Sequence, residues 1–124
     1  MSSKRILVVD DDSVMRFGYQ VFLKNNNYET FFAADAMAAI SEARKSHPDL
    51  IILDLGLPAG GGFTVMERLK GNLQLALIPI IVVSAGDRAA NEEKAIKAGA
   101  VAFVQKPWND KDLLDIIRKY TGGA

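Results

Sequence analysis

The 124-residue sequence contains no cysteine and a single histidine, His47. The absence of cysteine excludes disulfides and thiolate metal sites, and it fits a reducing compartment. One histidine leaves no second imidazole for a metal cluster, so we expect His47 to have a surface or helix-capping role. No apolar run approaches the roughly 18 to 20 residues of a membrane span, and residues 1–5 lead into no signal-type stretch. We therefore expect a soluble, cytoplasmic protein.

The sequence also has no excess of positive or negative charge, since 15 lysine and arginine residues balance 15 aspartate and glutamate residues. A chain without a net field is not drawn onto nucleic acid or an anionic membrane, which favours a protein or a small molecule as partner. A chain of this length builds one substantial core but not two. We therefore predict one domain over residues 1–124, with no output domain.

Five short apolar runs, rich in β-branched residues, are spaced along the sequence. The first, third and fourth are apolar throughout, as is typical of strands covered on both faces of a parallel sheet. We predict strands at residues 6–9, 30–33, 50–53, 80–83 and 101–104.

The segments between these runs have helical periodicity. Val14, Phe17, Val21 and Phe22 follow a candidate cap at Ser13, which predicts an amphipathic helix with these side chains on its apolar face. Further helices are predicted over residues 35–46, 63–70 and 91–98 and around Leu113, Leu114, Ile117 and Tyr120. The helix at 91–98 has Ile96 as its only large apolar residue and should be weakly anchored.

Strictly alternating strands and helices predict an α/β protein. Such alternation gives a parallel sheet with right-handed crossovers and helices on both faces. We predict a flavodoxin-like (βα)5 doubly wound five-stranded sheet with strand order 2-1-3-4-5. In that order the carboxyl ends of strands 1 and 3 flank the topological switch point, where ligands bind.

Acidic residues stand at the ends of two predicted strands. Asp10, Asp11 and Asp12 follow the first apolar run, and Asp54 follows the third. Carboxylates that converge on one crevice repel each other, and a hard divalent cation such as Mg²⁺ relieves that repulsion. For Asp12 alone we favour the role of a helix N-cap.

The ends of the other two strands add a hydroxyl and a cation. Ser84 follows the fourth run, and Lys106, before Pro107, follows the fifth. A metal, an ammonium group and a hydroxyl donor around a carboxylate stabilise the charge of a phosphoryl group. Either residue alone is commonly a turn or surface residue, so the convergence is what suggests phosphate chemistry.

Four segments together resemble the receiver domains of two-component response regulators, and chemotaxis-regulator-like single domains in particular. They are ILVVDDD at 6–12, LIILDLGLP at 50–58, IIVVSA at 80–85 and FVQKP at 103–107. All four occur in order and at family-like spacing, which makes the joint signal specific.

The resemblance implies a role for each site residue. Asp54 would be the phosphoacceptor, with Ser84 and Lys106 contacting the phosphoryl oxygens. Mg²⁺ would be bound by Asp10, Asp11 and Asp54 together with the backbone carbonyl of Gly56. Phe103 would occupy the aromatic switch position and rotate inward when Ser84 moves. The alternative is an inert, half-buried core aromatic, which is the commoner role of such a residue. Lys106-Pro107 would be a candidate cis peptide.

The resemblance also implies what the protein does and with whom. The phosphoryl group would come from a sensor histidine kinase, a phosphotransfer protein or a small phosphodonor. Phosphorylation would switch the face formed by helix 4, strand 5 and helix 5 for a downstream target protein. The chain would catalyse only its own phosphorylation and dephosphorylation, as a monomer or a weak phosphorylation-dependent dimer.

Two rival functions remain open at this stage. The residues from Asp10 to Val14 also resemble the nucleophile motif of haloacid-dehalogenase-type phosphatases, which would make Asp10 the nucleophile. That family generally has a longer chain and leaves Asp54 without a role. The second rival is an interaction module that keeps the fold without phosphorylation, because a fold does not fix a function.

Some residues invite a functional interpretation that we do not favour. Residues 58–62 are glycine-rich but lack the lysine of a phosphate-binding loop, so we expect a flexible turn. Trp108 is expected to be a packing residue beside the site. Leu73, Leu75 and Leu77 are expected to pack beneath the fourth strand rather than to form a contact surface.

Overall fold

A computed structural model of the protein describes residues 3–58 and 61–122. Strands and helices alternate along these residues. They are β1 Arg5–Val9, α1 Ser13–Asn25, β2 Glu29–Ala33, α2 Ala36–Ser46, β3 Leu50–Asp54, α3 Gly61–Lys70, β4 Ile80–Ser84, α4 Arg88–Lys97, β5 Ala102–Gln105 and α5 Asp110–Thr121. Every predicted strand is therefore confirmed, with bounds that differ from the prediction by at most one residue at either end.

The strands form one parallel sheet in the order β2-β1-β3-β4-β5, which confirms the predicted topology. In the register of this sheet, Val9 lies opposite Leu53, and Ser84 lies opposite Gln105. The carboxyl ends of β1, β3, β4 and β5 consequently meet at one edge. That edge is where the predicted site residues follow their strands.

Alternate residues of the central strands form two hydrophobic layers. Leu7 and Val9 of β1 pack with residues of α2, α3 and α4 on one face of the sheet. Ile6 and Val8 pack with residues of α1 and α5 on the other face. Because both faces of β1, β3 and β4 are covered, these strands carry apolar side chains at consecutive positions.

Helix α1 buries only part of the apolar face that was predicted, since Phe22 packs against the core but Val14, Phe17 and Val21 are exposed. Its buried residues are Tyr19 and Leu23, whereas Val14 is 76% exposed and Phe17 is 66% exposed. The predicted cap at Ser13 is also wrong, because the carboxylate of Asp12 accepts hydrogen bonds from the N–H groups of the first turn. This confirms the N-cap role that the sequence suggested for Asp12.

Helix α3 starts inside the glycine-rich stretch that was expected to be a turn. Gly61 and Gly62 form its first residues, so that part of the prediction is wrong, and residues 59–60 lie outside the described residues. A Cβ atom on Gly62 would lie 2.9 Å from the Cα atom of Leu55. Glycine at position 62 therefore allows α3 to begin against the backbone that follows Asp54.

The leucines between α3 and β4 do not behave alike. Leu75 is 1% exposed, but Leu73 is 97% exposed and Leu77 is 93% exposed. Only Leu75 packs into the core as predicted, and the prediction is wrong for the other two. Their side chains project at the end of the sheet opposite to the acidic edge.

Helix α4 is anchored by less apolar surface than α5. It begins at Arg88, three residues before the predicted start, and its buried residue is Ala95, while Ile96 is 45% exposed. The buried residues of α5 include Leu113 and Ile117. Since a small buried side chain contributes less hydrophobic stabilisation than two large ones, α4 should open more readily.

We therefore expect backbone amides in the middle of α4 to exchange with solvent faster than those of α5. Hydrogen–deuterium exchange followed by mass spectrometry measures this on the native chain. Each helix begins with an Asx N-cap, Asp87 for α4 and Asn109 for α5, so the comparison is between helices with similar starts. Equal or slower exchange in α4 would contradict the argument from burial.

His47 lies on the surface and caps a helix, as the sequence predicts. His47 is exposed and forms the C-cap of α2 in the left-handed region, at φ 49°, with its N–H bonded to the Ala43 carbonyl. This confirms the surface and capping role. None of the helices in the described ranges is both long enough and apolar enough to span a membrane.

Candidate functional site

Four strands deliver the predicted site residues to one edge of the sheet. Asp10 directly follows β1, and Asp54 and Ser84 are the last residues of β3 and β4. Lys106 directly follows β5, and its N–H donates to the Ser84 carbonyl at 2.8 Å. The parallel pairing, rather than proximity in sequence, brings these side chains together.

Three carboxylates form the centre of the site. One oxygen from each of Asp10, Asp11 and Asp54 lies within 4.8 Å of the other two. Asp10 is 1% exposed and Asp54 is 8% exposed, while Asp11 is open to solvent. Negative charges this close repel one another, so the cluster is a favourable place for a cation.

Lys106 supplies one positive charge to this cluster. Its Nζ lies 3.0 Å from Oδ2 of Asp54 and 3.9 Å from Oδ2 of Asp10. The other oxygen of Asp54, Oδ1, accepts a hydrogen bond from the N–H of Gly56 at 2.8 Å. Asp54 is thus held from two sides, with its carboxylate fixed at the end of β3.

Asp10 is less well satisfied than Asp54. Its Oδ1 accepts the N–H of Asp12 at 2.9 Å, but its buried Oδ2 receives no hydrogen bond from any described residue. Burial is the main cause that raises the pKa of the Asp10 carboxyl, and the charge of Asp54 raises it further. A buried carboxylate oxygen without a donor is the kind of atom that a metal ion satisfies. The carboxylate set therefore fits a hard divalent cation.

Glycine at position 56 keeps the approach to Asp54 open. A Cβ atom there would lie 3.1 Å from Oδ1 of Asp54, closer than an ordinary van der Waals contact. The Gly56 carbonyl as a metal ligand stays a prediction. The absence of a side chain leaves room at the carboxylate that would take part in the chemistry.

Ser84 lies within the same site but its hydroxyl is engaged elsewhere. The side chain is 4% exposed, and its Oγ accepts the N–H of Gly86 at 3.0 Å. The Lys106-Pro107 peptide bond is cis. Ser84, at the end of β4, and Lys106, directly after β5, stand at the same edge of the sheet as the carboxylates.

Phe103 is buried on β5, with 7% of its surface exposed. The guanidinium of Arg88, the first residue of α4, lies 5.7 Å from the centre of the Phe103 ring. The ring already belongs to the hydrophobic core on the face of the sheet that α4 covers. An inward rotation is therefore not needed to bury it, and the predicted switch role remains untested.

Three further residues beside the site were missed by the sequence argument. The guanidinium of Arg16 donates to the carbonyl of Asp10 at 2.7 Å, and the ring of Tyr19 stacks on Trp108 with centroids 5.4 Å apart. Trp108 is thus a packing residue, as expected. Burial raises the pKa of the Tyr19 phenol, and so do the charges of Asp10 and Asp54. Tyr19 and Leu23 at i, i+4 were the available signal, but a second apolar stripe on α1 hid it.

The third missed residue is Gln105, the last residue of β5. Its Nε2 donates to the carbonyl of Gly86 at 3.0 Å. A lone glutamine between an apolar strand and Lys106 gives no sequence signal, because its role depends on a loop 19 residues earlier in the chain.

Comparison with known proteins gives a consistent result. The family model described as "Response regulator receiver domain" matches residues 6–118. The polar-differentiation response regulator DivK of Brucella ovis is 30% identical over 122 residues, which cover 98% of this chain and 99% of DivK.

Solved structures resemble the fold over nearly its full length. A CheY-like response regulator receiver domain protein from Methanospirillum hungatei is 29% identical, with a TM-score of 0.88, covering 98% of this chain and 95% of that one. The receiver domain of the sensor histidine kinase PA1611 from Pseudomonas aeruginosa has a TM-score of 0.88 at 24% identity, covering 98% and 99% of the two chains. That structure has a magnesium ion coordinated in its active-site cleft, and at this identity the likeness shows the fold alone.

Proposed function

Because the chain belongs to the response regulator receiver domain family of two-component signalling, we propose that Asp54 is its phosphoacceptor and that the reaction depends on Mg²⁺. The observation that carries this proposal is the position of the Asp54 carboxylate. It lies at the end of β3, 3.0 Å from the ammonium of Lys106 and in one cluster with Asp10 and Asp11. None of the other acidic residues in the described ranges combines these contacts.

The proposed reaction joins an Asp54 oxygen to phosphorus. The carboxylate attacks the phosphorus of the donor, the bond from phosphorus to the leaving group breaks, and an acyl phosphate forms. Lys106 is close enough to Asp54 to keep its ammonium beside the phosphoryl oxygens. This charge offsets the negative charge that Asp54 gains.

The residues that would hold Mg²⁺ are Asp10, Asp11, Asp54 and the carbonyl of Gly56. The buried Oδ2 of Asp10, which accepts no hydrogen bond from the described residues, is the observation that supports this set. When bound, Mg²⁺ neutralises negative charge on the phosphoryl oxygens and on the carboxylates. In the protein itself, Arg16 and the N–H of Asp12 fix the Asp10 backbone and side chain in place for this purpose.

We further propose that Ser84 responds to the new phosphoryl group. Its hydroxyl would leave the N–H of Gly86 and donate to a phosphoryl oxygen, which is a stronger acceptor. Phe103 lies on the neighbouring strand beneath Arg88, so movement at Ser84 would reach the face formed by α4, β5 and α5. That face would bind a downstream target protein.

The phosphodonor would be a sensor histidine kinase, a phosphotransfer protein or a small phosphodonor. The exposed side chains of Val14 and Phe17 support contact with a protein, because they place apolar surface on the first two turns of α1, the helix that follows Asp11 in the chain. The proposal includes a cytoplasmic location, action as a single receiver domain, and a monomer or weak phosphorylation-dependent dimer.

The direct test uses the native chain, acetyl phosphate and intact-mass spectrometry. We expect a mass increase of one phosphoryl group with Mg²⁺ and none when the metal is removed by chelation, because the carboxylate cluster repels an anionic donor. Titration with beryllofluoride and Mg²⁺ is the independent check. A chain that gains no phosphoryl group and binds no beryllofluoride would instead be an interaction module without phosphorylation.

A further inference from the structure

Gly86, in the loop between β4 and α4, forms hydrogen bonds with side chains of the two strands β4 and β5. The N–H of Gly86 donates to the hydroxyl of Ser84 at 3.0 Å. The carbonyl of Gly86 accepts the Nε2 of Gln105, also at 3.0 Å. One glycine therefore connects the hydroxyl of the proposed site to a side chain at the end of β5.

The chemistry at Gly86 fixes the orientation of the Gln105 amide. A backbone carbonyl oxygen only accepts hydrogen bonds, so the NH₂ group must face it and the amide oxygen must point away. That oxygen, Oε1, is buried and receives no hydrogen bond from the residues in the described ranges. A buried acceptor without a hydrogen bond costs free energy, and this cost reduces the net stabilisation from the Gln105–Gly86 hydrogen bond. The hydrogen bond from Gln105 to Gly86 is therefore favourable, but weak enough to break when the loop moves.

The space around Gly86 shows that the loop is packed closely in this position. A Cβ atom on Gly86 would lie 2.8 Å from Nδ2 of Asn91 and 3.4 Å from Oγ of Ser84. The next residue, Asp87, is the N-cap of α4 and accepts the N–H of Ala89. A shift of Gly86 is consequently passed to the first turn of α4, which is the weakly anchored helix.

We propose that Gln105 is a positioning residue that holds the β4–α4 loop in its unphosphorylated position through Gly86. The inference rests on the proposed function of Asp54 and Ser84. When the Ser84 hydroxyl turns to the phosphoryl oxygens, the N–H of Gly86 loses its acceptor, and the Gln105 amide is then the side chain that retains the loop. Its hydrogen bond to Gly86 must be given up for the loop to move.

The test compares the native chain with Gln105→Met, which keeps the length of the side chain and removes the amide. Affinity for beryllofluoride in the presence of Mg²⁺ is measured by isothermal titration, because this probe mimics the phosphoryl group. We expect binding to become about 2- to 5-fold tighter, since one hydrogen bond open to water no longer holds the loop back. Gln105→Leu is a second variant with the same expectation.

The affinity for Mg²⁺ alone separates positioning from a general loss of structure. Neither Gln105 nor Gly86 belongs to the carboxylate cluster, so Mg²⁺ affinity should stay unchanged in both variants. The matched control is Gln74→Met, an exposed glutamine between α3 and β4, which should alter neither affinity.

A double-mutant cycle with Ser84→Ala asks whether Gln105 acts through the hydroxyl. In Ser84→Ala no hydroxyl turns from the Gly86 N–H to the phosphoryl mimic, so binding no longer requires the loop to move. The effect of Gln105→Met on beryllofluoride affinity should then disappear. An effect of full size in the Ser84→Ala background would overturn the proposed connection.

The outcomes also distinguish this inference from the proposed function. A native chain that binds no beryllofluoride would overturn both. If the native chain binds it and both Gln105 variants bind with native or weaker affinity, the proposed function stands and the role of Gln105 is wrong.

Discussion

Asp54→Asn is expected to abolish the Mg²⁺-dependent gain of a phosphoryl group from acetyl phosphate. An amide nitrogen or oxygen is a poor nucleophile compared with a carboxylate, and the substitution changes neither the size nor the position of the side chain. Asparagine has a single acceptor oxygen, so it can retain either the contact with the Lys106 ammonium or the hydrogen bond from the Gly56 N–H, but not both. The buried strand around position 54 is unchanged, so the fold should persist. Intact-mass spectrometry of the native and variant chains under identical conditions measures the loss.

Asp12→Asn is the matched control for this experiment. Asp12 is the N-cap of α1, and asparagine caps a helix about as well as aspartate, so its phosphoryl gain should equal that of the native chain. A phosphoryl group that persists on the Asp54→Asn chain would contradict the assignment. Peptide mapping that placed this group on Asp10 would support the phosphatase-like alternative that the sequence leaves open.

Asp10→Asn is expected to stabilise the fold in the absence of Mg²⁺ while abolishing its response to the metal. The native carboxylate is 1% exposed, and its Oδ2 receives no hydrogen bond from the described residues. Replacing a buried, incompletely paired charge by an amide should raise the free energy of unfolding by about 1–3 kcal/mol. Urea unfolding at neutral pH, with and without Mg²⁺, measures both effects.

The pH dependence of this stability follows from the pKa of Asp10. Burial, the largest cause, raises that pKa in the folded state, with the charges of Asp54 and Asp11 adding to it. The folded chain then holds its proton more tightly than the unfolded chain. Stability is therefore lost as the pH rises from about 3.9, the value of an unperturbed aspartate, through the higher folded pKa. The Asp10→Asn chain should lack that component of the pH profile.

Asp11→Asn provides the contrast for Asp10. Asp11 belongs to the same cluster but is exposed to water, so its charge costs little in the metal-free fold. Its substitution should weaken the response to Mg²⁺ and change the metal-free stability by less than about 0.5 kcal/mol. If Asp10→Asn were less stable than the native chain without Mg²⁺, burial of an unsatisfied carboxylate would be the wrong description of the site.

Function and stability compete at this site. The acidic cluster that we propose for Mg²⁺ and a phosphoryl group is unfavourable for the metal-free fold, because one buried oxygen accepts no hydrogen bond from residues 3–58 and 61–122. Lys106 offsets part of the repulsion through Asp54 at 3.0 Å, and less through Asp10 at 3.9 Å. A bound cation is expected to stabilise the fold by removing the remainder.

Much of the architecture was predictable because it depends on patterns within short segments. Continuous apolar runs identified β1, β3 and β4, which are buried on both faces. Alternation of strands and helices then limited the topology to a parallel sheet with right-handed crossovers. From that order alone, Asp10, Asp54 and Lys106 could be placed at one edge.

The outward face of α1 was not predictable in the same way. Two apolar stripes share that helix, one through Val14 and Phe17 and one through Tyr19 and Leu23. Periodicity shows that both exist, but the angle at which the helix meets the sheet decides which is buried. Similarly, Leu75 lies in the core while Leu73 and Leu77 do not, because the path of the loop decides it.

The sequence by itself determined the strand order, the family and the identity of the residues at the acidic edge, since these follow from local pattern and from motifs at strand ends. Only the tertiary structure decided how those residues are satisfied. The missing donor at Asp10 and the bonds of Gln105 and Ser84 to Gly86 join residues from different elements. Whether such a hydrogen bond forms depends on differences of about a few tenths of an ångström in the distance between packed elements. Those distances are set by the packing of the whole fold and cannot be read from a pattern along the chain.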